Sequence, residues 1–286
     1  VSFNWLQVQA STISTKSARC VGKPTVWRAT FLHSMRFDLM TERKTAARGV
    51  LVQTRNYVLR ALSKADRDAL EPHVQRVALV SGEVLYEPDY PVDWVYFPDT
   101  AVLSVVTVMV DGRTVESDTV GYESVVGVLN TLGSCIAVNR TFTQIPGWVV
   151  RISSARLRDQ ADRSGDLRQL LMRHAQANLA QAHQSVACNA LHDLSQRLCR
   201  WLLMSQDRTA ADGVQLTQQY LATMLGAQRT TVTEMLGALA DRGLIRQGRG
   251  RIDILDRRRL MAESCECYDT VRANLEQLIG REPSAD

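Results

Sequence analysis

The chain has 286 residues, of which 45% are hydrophobic and 22% charged, with a formal net charge of +4. That length holds two compact domains with their connections, and no apolar run reaches the roughly 18 residues of a membrane helix. The charge is uneven: +6 over residues 1–49, −2 over 50–212, +4 over 213–260 and −4 over 261–286. The basic signal relevant to a polyanionic partner is therefore the local +4 late in the chain, not the total.

Residues 1–49 are rich in Ser, Thr, Lys and Arg, with Trp5, Trp27 and Phe31 scattered and no sustained period. The stretch reads as a basic, disordered extension, or as sequence upstream of a true start at Met35 or Met40. Its acid-poor, Arg- and Ser-rich character also resembles an organellar transit peptide. Order is expected from about Tyr57, where Leu59, Leu62 and Leu70, with Ser63-x-x-Asp66 as a capping box, predict two short helices before Pro72.

From Arg76 the period changes to that of strands. Val77–Val80, Glu83–Tyr86, Asp93–Phe97, Val102–Val110 and Thr114–Val120 are β-branched or aromatic runs. Ser81-Gly82, Pro88-Asp89, Pro98-Asp99 and Asp111-Gly112 punctuate them. Short strands at this spacing predict an antiparallel barrel or double-sheet roll. A metal-dependent enzyme of the cupin type needs two or three histidines on neighbouring strands, and only His73 lies nearby. No Ser-His-Asp or Cys-His arrangement is placed by the sequence, so no catalytic residue is expected.

Between Asp166 and Cys188 there is neither Gly nor Pro, and a helix of about six turns is expected. Met172, Ala175, Leu179, Ala182 and Val186 recur at alternating spacings of three and four, as in a coiled-coil seam. Leu167, Leu170 and Leu171 occupy an adjoining face that suits packing on the strands. His174 and His183 read as surface or seam residues. A further amphipathic helix, Leu191–Met204, turns Leu194, Leu198, Trp201 and Leu202 inward, and Gln206–Gly213 reads as a loop.

Residues 216–255 carry the most specific pattern. Thr217 N-caps a helix over Gln218–Leu225, Gly226 stands where a left-handed residue ends it, and a second helix covers about Gln228–Ala240. Leu221, Ala222, Leu225, Gly226, Val232 and Met235 meet the apolar, small and glycine requirements of a helix-turn-helix. Gln228, Arg229, Thr230, Thr233 and Glu234 remain outside, on the half of the second helix that meets base edges. Leu244-Ile245 and Ile252–Leu255 flank Arg246-Gln-Gly-Arg-Gly-Arg251, a hairpin turned by Gly248 and Gly250. Its arginines Arg246, Arg249 and Arg251 are placed to meet phosphate. Asp256–Leu278 reads as one closing, acidic helix. Of the six cysteines (20, 135, 188, 199, 265, 267) only Cys265-Glu-Cys267 is a tight pair. With no His beside it in sequence it falls short of four zinc ligands, so reduced thiols and no metal are expected.

The helix-turn-helix and its hairpin resemble the C-terminal domain of the cyclic AMP receptor protein / fumarate-nitrate regulator (CRP/FNR) superfamily of bacterial transcription factors, over roughly residues 55–260. The resemblance implies an α+β chain with an N-terminal antiparallel β-roll of the cyclic-nucleotide-binding kind, a long dimerisation helix and a C-terminal winged helix-turn-helix. Its domains would be an extension over 1–49, a sensor roll over 50–152, a dimer helix over 153–188 and a DNA-binding domain over 189–286. It implies a cytoplasmic homodimer on a pseudo-palindromic operator, with double-stranded DNA and RNA polymerase as partners, no cofactor and no membrane. Base contacts would fall to Gln228, Arg229, Thr230, Thr233 and Glu234. Phosphate contacts would fall to Thr217, Gln218, Arg246, Arg249 and Arg251.

In cyclic-nucleotide-binding members a Gly-Glu pair and an Arg-Ser/Thr pair hold the ligand. Here Gly127 and Val128 stand at the first pair, and Arg140-Thr141 at the second. Val128 does not accept a ribose hydroxyl, which costs on the order of 1–3 kcal/mol if left unpaired. The effector reading is thus a small molecule other than cyclic AMP near Gly127, Arg140 and Thr141. Alternatives are an altered cyclic-nucleotide pocket, an empty roll on a constitutive DNA binder, and a protein adaptor. One branch of the superfamily holds an iron–sulfur cluster on N-terminal cysteines, and only Cys20 lies in that region here.

Overall fold

The structure, a computed structural model, describes residues 49–110, 112, 114–209, 213–215 and 217–280. The expectations for the extension before Gly49 lie outside the described residues. Three short helices come first: α1 (Val50–Gln53), α2 (Tyr57–Arg60) and α3 (Lys64–Leu70). Asn56 caps α2, accepting from the Val58 and Leu59 amides, and Ser63 caps α3 through the Asp66 amide. Asn56 is wholly buried, and its amide donates to Pro98 O and Ser124 O, which ties this segment to the strands behind it.

Seven strands form the roll: β1 (Val74–Leu79), β2 (Val84–Tyr86), β3 (Trp94–Pro98), β4 (Val102–Val108), β5 (Thr114–Val120), β6 (Arg140–Ile145) and β7 (Gly147–Ser153). They make two antiparallel sheets, ordered β1-β7-β3 and β2-β6-β4-β5. The first pairs Val95 with Ile152 and Val77 with Val149. In the second, Val105 of β4 faces Thr141 of β6 and Asp118 of β5. Leu79, Tyr86, Tyr96, Leu103, Val120 and Val149 fill the space between, and the Tyr86 hydroxyl donates to Trp94 O at 2.7 Å. A short helix, α4 (Val128–Leu132), interrupts the strands after Gly127.

The chain leaves the roll through α5 (Ser154–Arg163), N-capped by Ser153, and enters α6 (Gly165–Leu191) of 27 residues. Leu167, Leu170 and Leu171 are buried against the first sheet together with α1–α3. His174, expected at the surface or in the seam, is buried instead. Its Nε2 lies 2.8 Å from Ser124 Oγ, and burial pushes its pKa down to about 4, so the ring is neutral.

A second core is helical. It comprises α7 (Leu194–Arg208), β8 (Gly213–Gln215), α8 (Gln218–Leu225), α9 (Arg229–Asp241), β9 (Ile245–Gly248), β10 (Arg251–Ile254), α10 (Arg257–Glu263) and α11 (Cys267–Ile279). Leu198, Leu202, Leu203, Leu221, Leu236, Leu244 and Tyr268 are buried together. Two expectations are corrected here. Gly213 does not end a loop but begins β8, which pairs with β10 to make the hairpin a three-stranded sheet. The closing helix is two helices, because the Ser264 and Cys265 segment leaves helical geometry between α10 and α11. The break lets α11 fold back along α6.

Candidate nucleic-acid interface

Helices α8 and α9 owe their angle to a three-residue turn. Thr217 N-caps α8 through the Tyr220 amide. Gly226 ends it at φ 62° and ψ 36°, a left-handed conformation that costs other L-residues more than glycine. Its amide and that of Ala227 bond back to Ala222 and Thr223 carbonyls, while Arg197 Nη2 donates to the otherwise open Leu225 carbonyl at 2.8 Å. Leu221, Ala222 and Leu225 bury against Val232, Leu236 and Leu239. Met235, expected inward, is half-buried.

With that side committed to the core, α9 exposes Gln228, Arg229, Thr230, Thr233 and Glu234. Thr233 Oγ1 lies 2.9 Å from Gln218 Oε1, and the Gln218 amide donates to Gln247 Oε1 at 3.1 Å, linking α9, α8 and the hairpin. Among the described residues Arg229 makes no ion pair. A guanidinium held out like this has the two parallel donors that guanine O6 and N7 accept.

The hairpin is less heavily armed than its sequence suggests. Arg246 and Arg251 both pair with Asp253, at 2.9 and 2.5 Å, and these contacts lower the Asp253 pKa. Only Arg249, at the tip beside Gly250 (φ 70°), has no ion pair among the described residues. Asp253 is missed by reading the arginines alone; its place opposite Arg246 in the β9–β10 register is the signal.

On the roll, Gly127 has φ 93°, and a Cβ there would run into the Tyr86 hydroxyl. Tyr86 faces Thr141 across β2 and β6, so Gly127 and Thr141 lie at the same end of the roll. Thr141 is buried. Arg140 is not the open anion-gripping side chain the effector reading asks for: Glu87 accepts from its Nε at 2.9 Å and Nη2 at 2.8 Å. Of the seam residues, Met172, Leu179, Ala182 and Val186 are exposed and Ala175 is half-buried.

Sequence reasoning overlooked a buried charge cluster where the roll meets the helical core. Arg208, at the end of α7, is 6% exposed and pairs through Nε with Glu123 at 2.6 Å. Gly121 permits this approach, since a Cβ there would lie 2.6 Å from Arg208 Cγ. Burial raises the pKa of Glu116, and it pushes Asp118 up to about 7 although Arg208 pulls it down. Glu116 accepts from Ser104 at 2.5 Å and lies 3.5 Å from both Trp201 Nε1 and Tyr220 Oη. Strand β5 is thus fastened to α7 and α8.

The five described cysteines are free thiols. The break before α11 brings Cys265 and Cys267 against Cys188 and His192, residues more than 70 positions earlier in the chain. Their four candidate donor atoms all lie within 4.8 Å of one another.

A two-sheet roll, a long connecting helix and a winged helix-turn-helix with a polar, outward-facing second helix define the architecture of the described residues. Residues 196–263 match the Crp-like helix-turn-helix domain. Over 102 residues the chain is 32% identical to the transcriptional regulator SdrP of Thermus thermophilus, a match covering 33% of this chain and about half of that relative's length, 50%. Its fold is that of FixK2 from Bradyrhizobium japonicum (TM-score 0.58, 18% identity, 67% of this chain and 98% of that one). It is equally that of the CRP/FNR-family regulator TTHA1359, also from Thermus thermophilus (TM-score 0.55, 22% identity, 66% and 97%). Within residues 196–263 the chain is similar to that domain, and beyond them its likeness to these structures is one of fold. No helix among the described residues is long and apolar enough to cross a membrane.

Proposed function

We propose that the chain is a homodimeric, sequence-specific transcription regulator that binds a pseudo-palindromic operator, with residues 50–152 as sensor, 153–188 as dimer helix and 189–286 as DNA-binding domain. The observation that carries the reading is the face of α9: five polar side chains exposed in front of a buried helix-turn-helix core, with an arginine at the wing tip that has no ion pair among the described residues. Arg229 would read a guanine and Glu234 would accept from cytosine N4, while Gln228, Thr230 and Thr233 reach neighbouring edges. Thr217, Gln218 and Arg249 would meet phosphates, with Arg246 and Arg251 contributing less because Asp253 already holds them.

Dimerisation is supported by α6. Met172, Leu179 and Val186 repeat every seven residues and are 56%, 57% and 70% exposed in the single chain. Apolar side chains in heptad register are the seam a second copy covers, and two-fold symmetry sets half-sites one helical turn, about 34 Å, apart. RNA polymerase would be the downstream partner. An effector acting on the roll would reach α8 through β5, because Glu116 contacts Tyr220 directly.

The test is operator selection from random duplexes followed by binding titrations. Arg229→Ala is expected to cost about 1–3 kcal/mol on the selected site and to relax preference at one base pair per half-site. Unchanged preference would remove α9 as the recognition helix.

A further inference from the structure

We propose that Cys188, His192, Cys265 and Cys267 form a tetrahedral zinc(II) site that locks the C-terminal helix onto the junction between α6 and α7. The two pairs come from opposite sides of the junction. Cys188 lies on the last turn of α6 and His192 is its C-cap, four residues on, so both face the same way. Cys265 sits in the break before α11 and Cys267 opens that helix.

The distances suit a shared ion. Cys188 Sγ lies 3.5 Å from Cys265 Sγ, and Cys267 Sγ lies 3.5 Å from His192 Nδ1. With zinc–sulfur bonds of roughly 2.3 Å, a tetrahedral edge is about 3.8 Å, so a small movement completes the site. A disulfide needs sulfurs at about 2.05 Å, and it would leave the third thiol and the imidazole without a role. Cysteines used only as small apolar fillers do not recruit an oriented histidine.

The surroundings are those of a metal ligand set. Glu266 Oε2 is 3.1 Å from His192 Nε2, close enough to hold that side of the ring while Nδ1 faces the sulfurs. Gln184 Nε2 donates to Cys267 Sγ at 3.0 Å, a hydrogen bond that steadies a thiolate. All three cysteines are buried, at 0%, 3% and 0% exposure. Thiolates with imidazole select a borderline-soft ion over magnesium or calcium. On loading, three S–H bonds give way to three S–Zn bonds, the three protons pass to solvent, and the imidazole binds as a neutral ligand. No oxidation is involved.

The test uses the full-length chain, made without a histidine tag and kept reduced. We expect about one zinc per chain by elemental analysis. After removal of zinc, cobalt(II) should give the ligand-field bands of a tetrahedral ion and thiolate-to-metal charge transfer. Cys267→Ser should abolish the charge-transfer pattern of three thiolates. Glu266→Gln, at an exposed position that leaves folding intact, should weaken zinc binding by about 10–100-fold. Chelation should lower the Tm of the wild-type chain and leave that of Cys267→Ser unmoved. The proposal is overturned by a reduced, folded chain that holds neither zinc nor tetrahedral cobalt. It is equally overturned by a cobalt spectrum unchanged in Cys267→Ser, by iron–sulfur absorption in the purified protein, or by a mapped Cys188–Cys265 disulfide. None of these readouts depends on DNA, so failure here leaves the operator reading standing.

Discussion

Asp118 makes the contact between roll and helical core sensitive to pH, and Asp118→Asn isolates the effect. Its carboxyl is enclosed by β5, Gln181 of α6 and the Arg208 side chain, with Glu123 and Glu116 as like-charged neighbours. Burial is the chief cause that raises its pKa from the ordinary 3.8 to about 7; Arg208 opposes this and the two glutamates add to it. Because the folded pKa lies above the unfolded one, the fold favours the protonated carboxyl. The stability tied to it is whole below about pH 4 and drains away as pH rises to about 7. At about 1.4 kcal/mol per pKa unit, integrating the linkage from about pH 5 to about pH 8 gives a loss of at most about 3 kcal/mol. Asp118 keeps some contact with solvent, which makes this a ceiling. Asparagine imitates the protonated acid in shape and charge. Urea unfolding of both proteins at steps between those pH values gives a difference curve in which other titrating groups, Glu116 and His174 among them, largely cancel. Asp118→Asn should gain on the wild type by about 1–3 kcal/mol as pH rises. A flat difference curve would show that Asp118 ionises normally, and the burial argument would fail.

Four other substitutions probe separate parts of the molecule. Arg249→Ala should weaken binding evenly across sequences and reduce the salt-dependence slope by about 1, whereas Arg246→Ala, whose guanidinium Asp253 already holds, should change it less. Leu179→Glu, on an exposed position of α6, should shift sedimentation toward the monomer with little effect on chain folding; a persistent dimer would place the two-fold contact elsewhere. Gly226→Ala finds no steric neighbour yet must hold φ 62°, and should cost about 1–2 kcal/mol in thermal unfolding.

The parts of this fold that were readable in the sequence are those decided by neighbours a few residues apart. Thr217, Gly226 and the buried Leu221, Leu225, Val232 and Leu236 follow helical spacing, so their positions required no knowledge of the rest of the molecule. Strands β1–β5 announce themselves by β-branched runs between turn residues. Strands β6 and β7 show the same β-prone character in Trp148-Val149-Val150, but Arg140-Thr141 also matches a ligand motif, so residue type alone leaves their role open. Arg140 itself illustrates the limit: nothing local says that Glu87, across the β2–β6 pairing, will take both of its donors. The same holds for Arg208 with Glu123, 85 positions apart, and for Cys188 with Cys265, 77 apart. Such partners are chosen by topology, and a pairwise reading of sequence spacing does not reach them.

Strand β5 is the outermost strand of its sheet, so among the described residues one side of its backbone has no neighbouring strand to pair with. In this structure α8 lies against it, with Trp201 and Tyr220 both approaching Glu116. The helix ahead of α9 therefore bears on β5 through the Glu116 side chain. Any displacement of α8 would leave a half-buried carboxyl, already held above its ordinary pKa by burial, without its tyrosine neighbour.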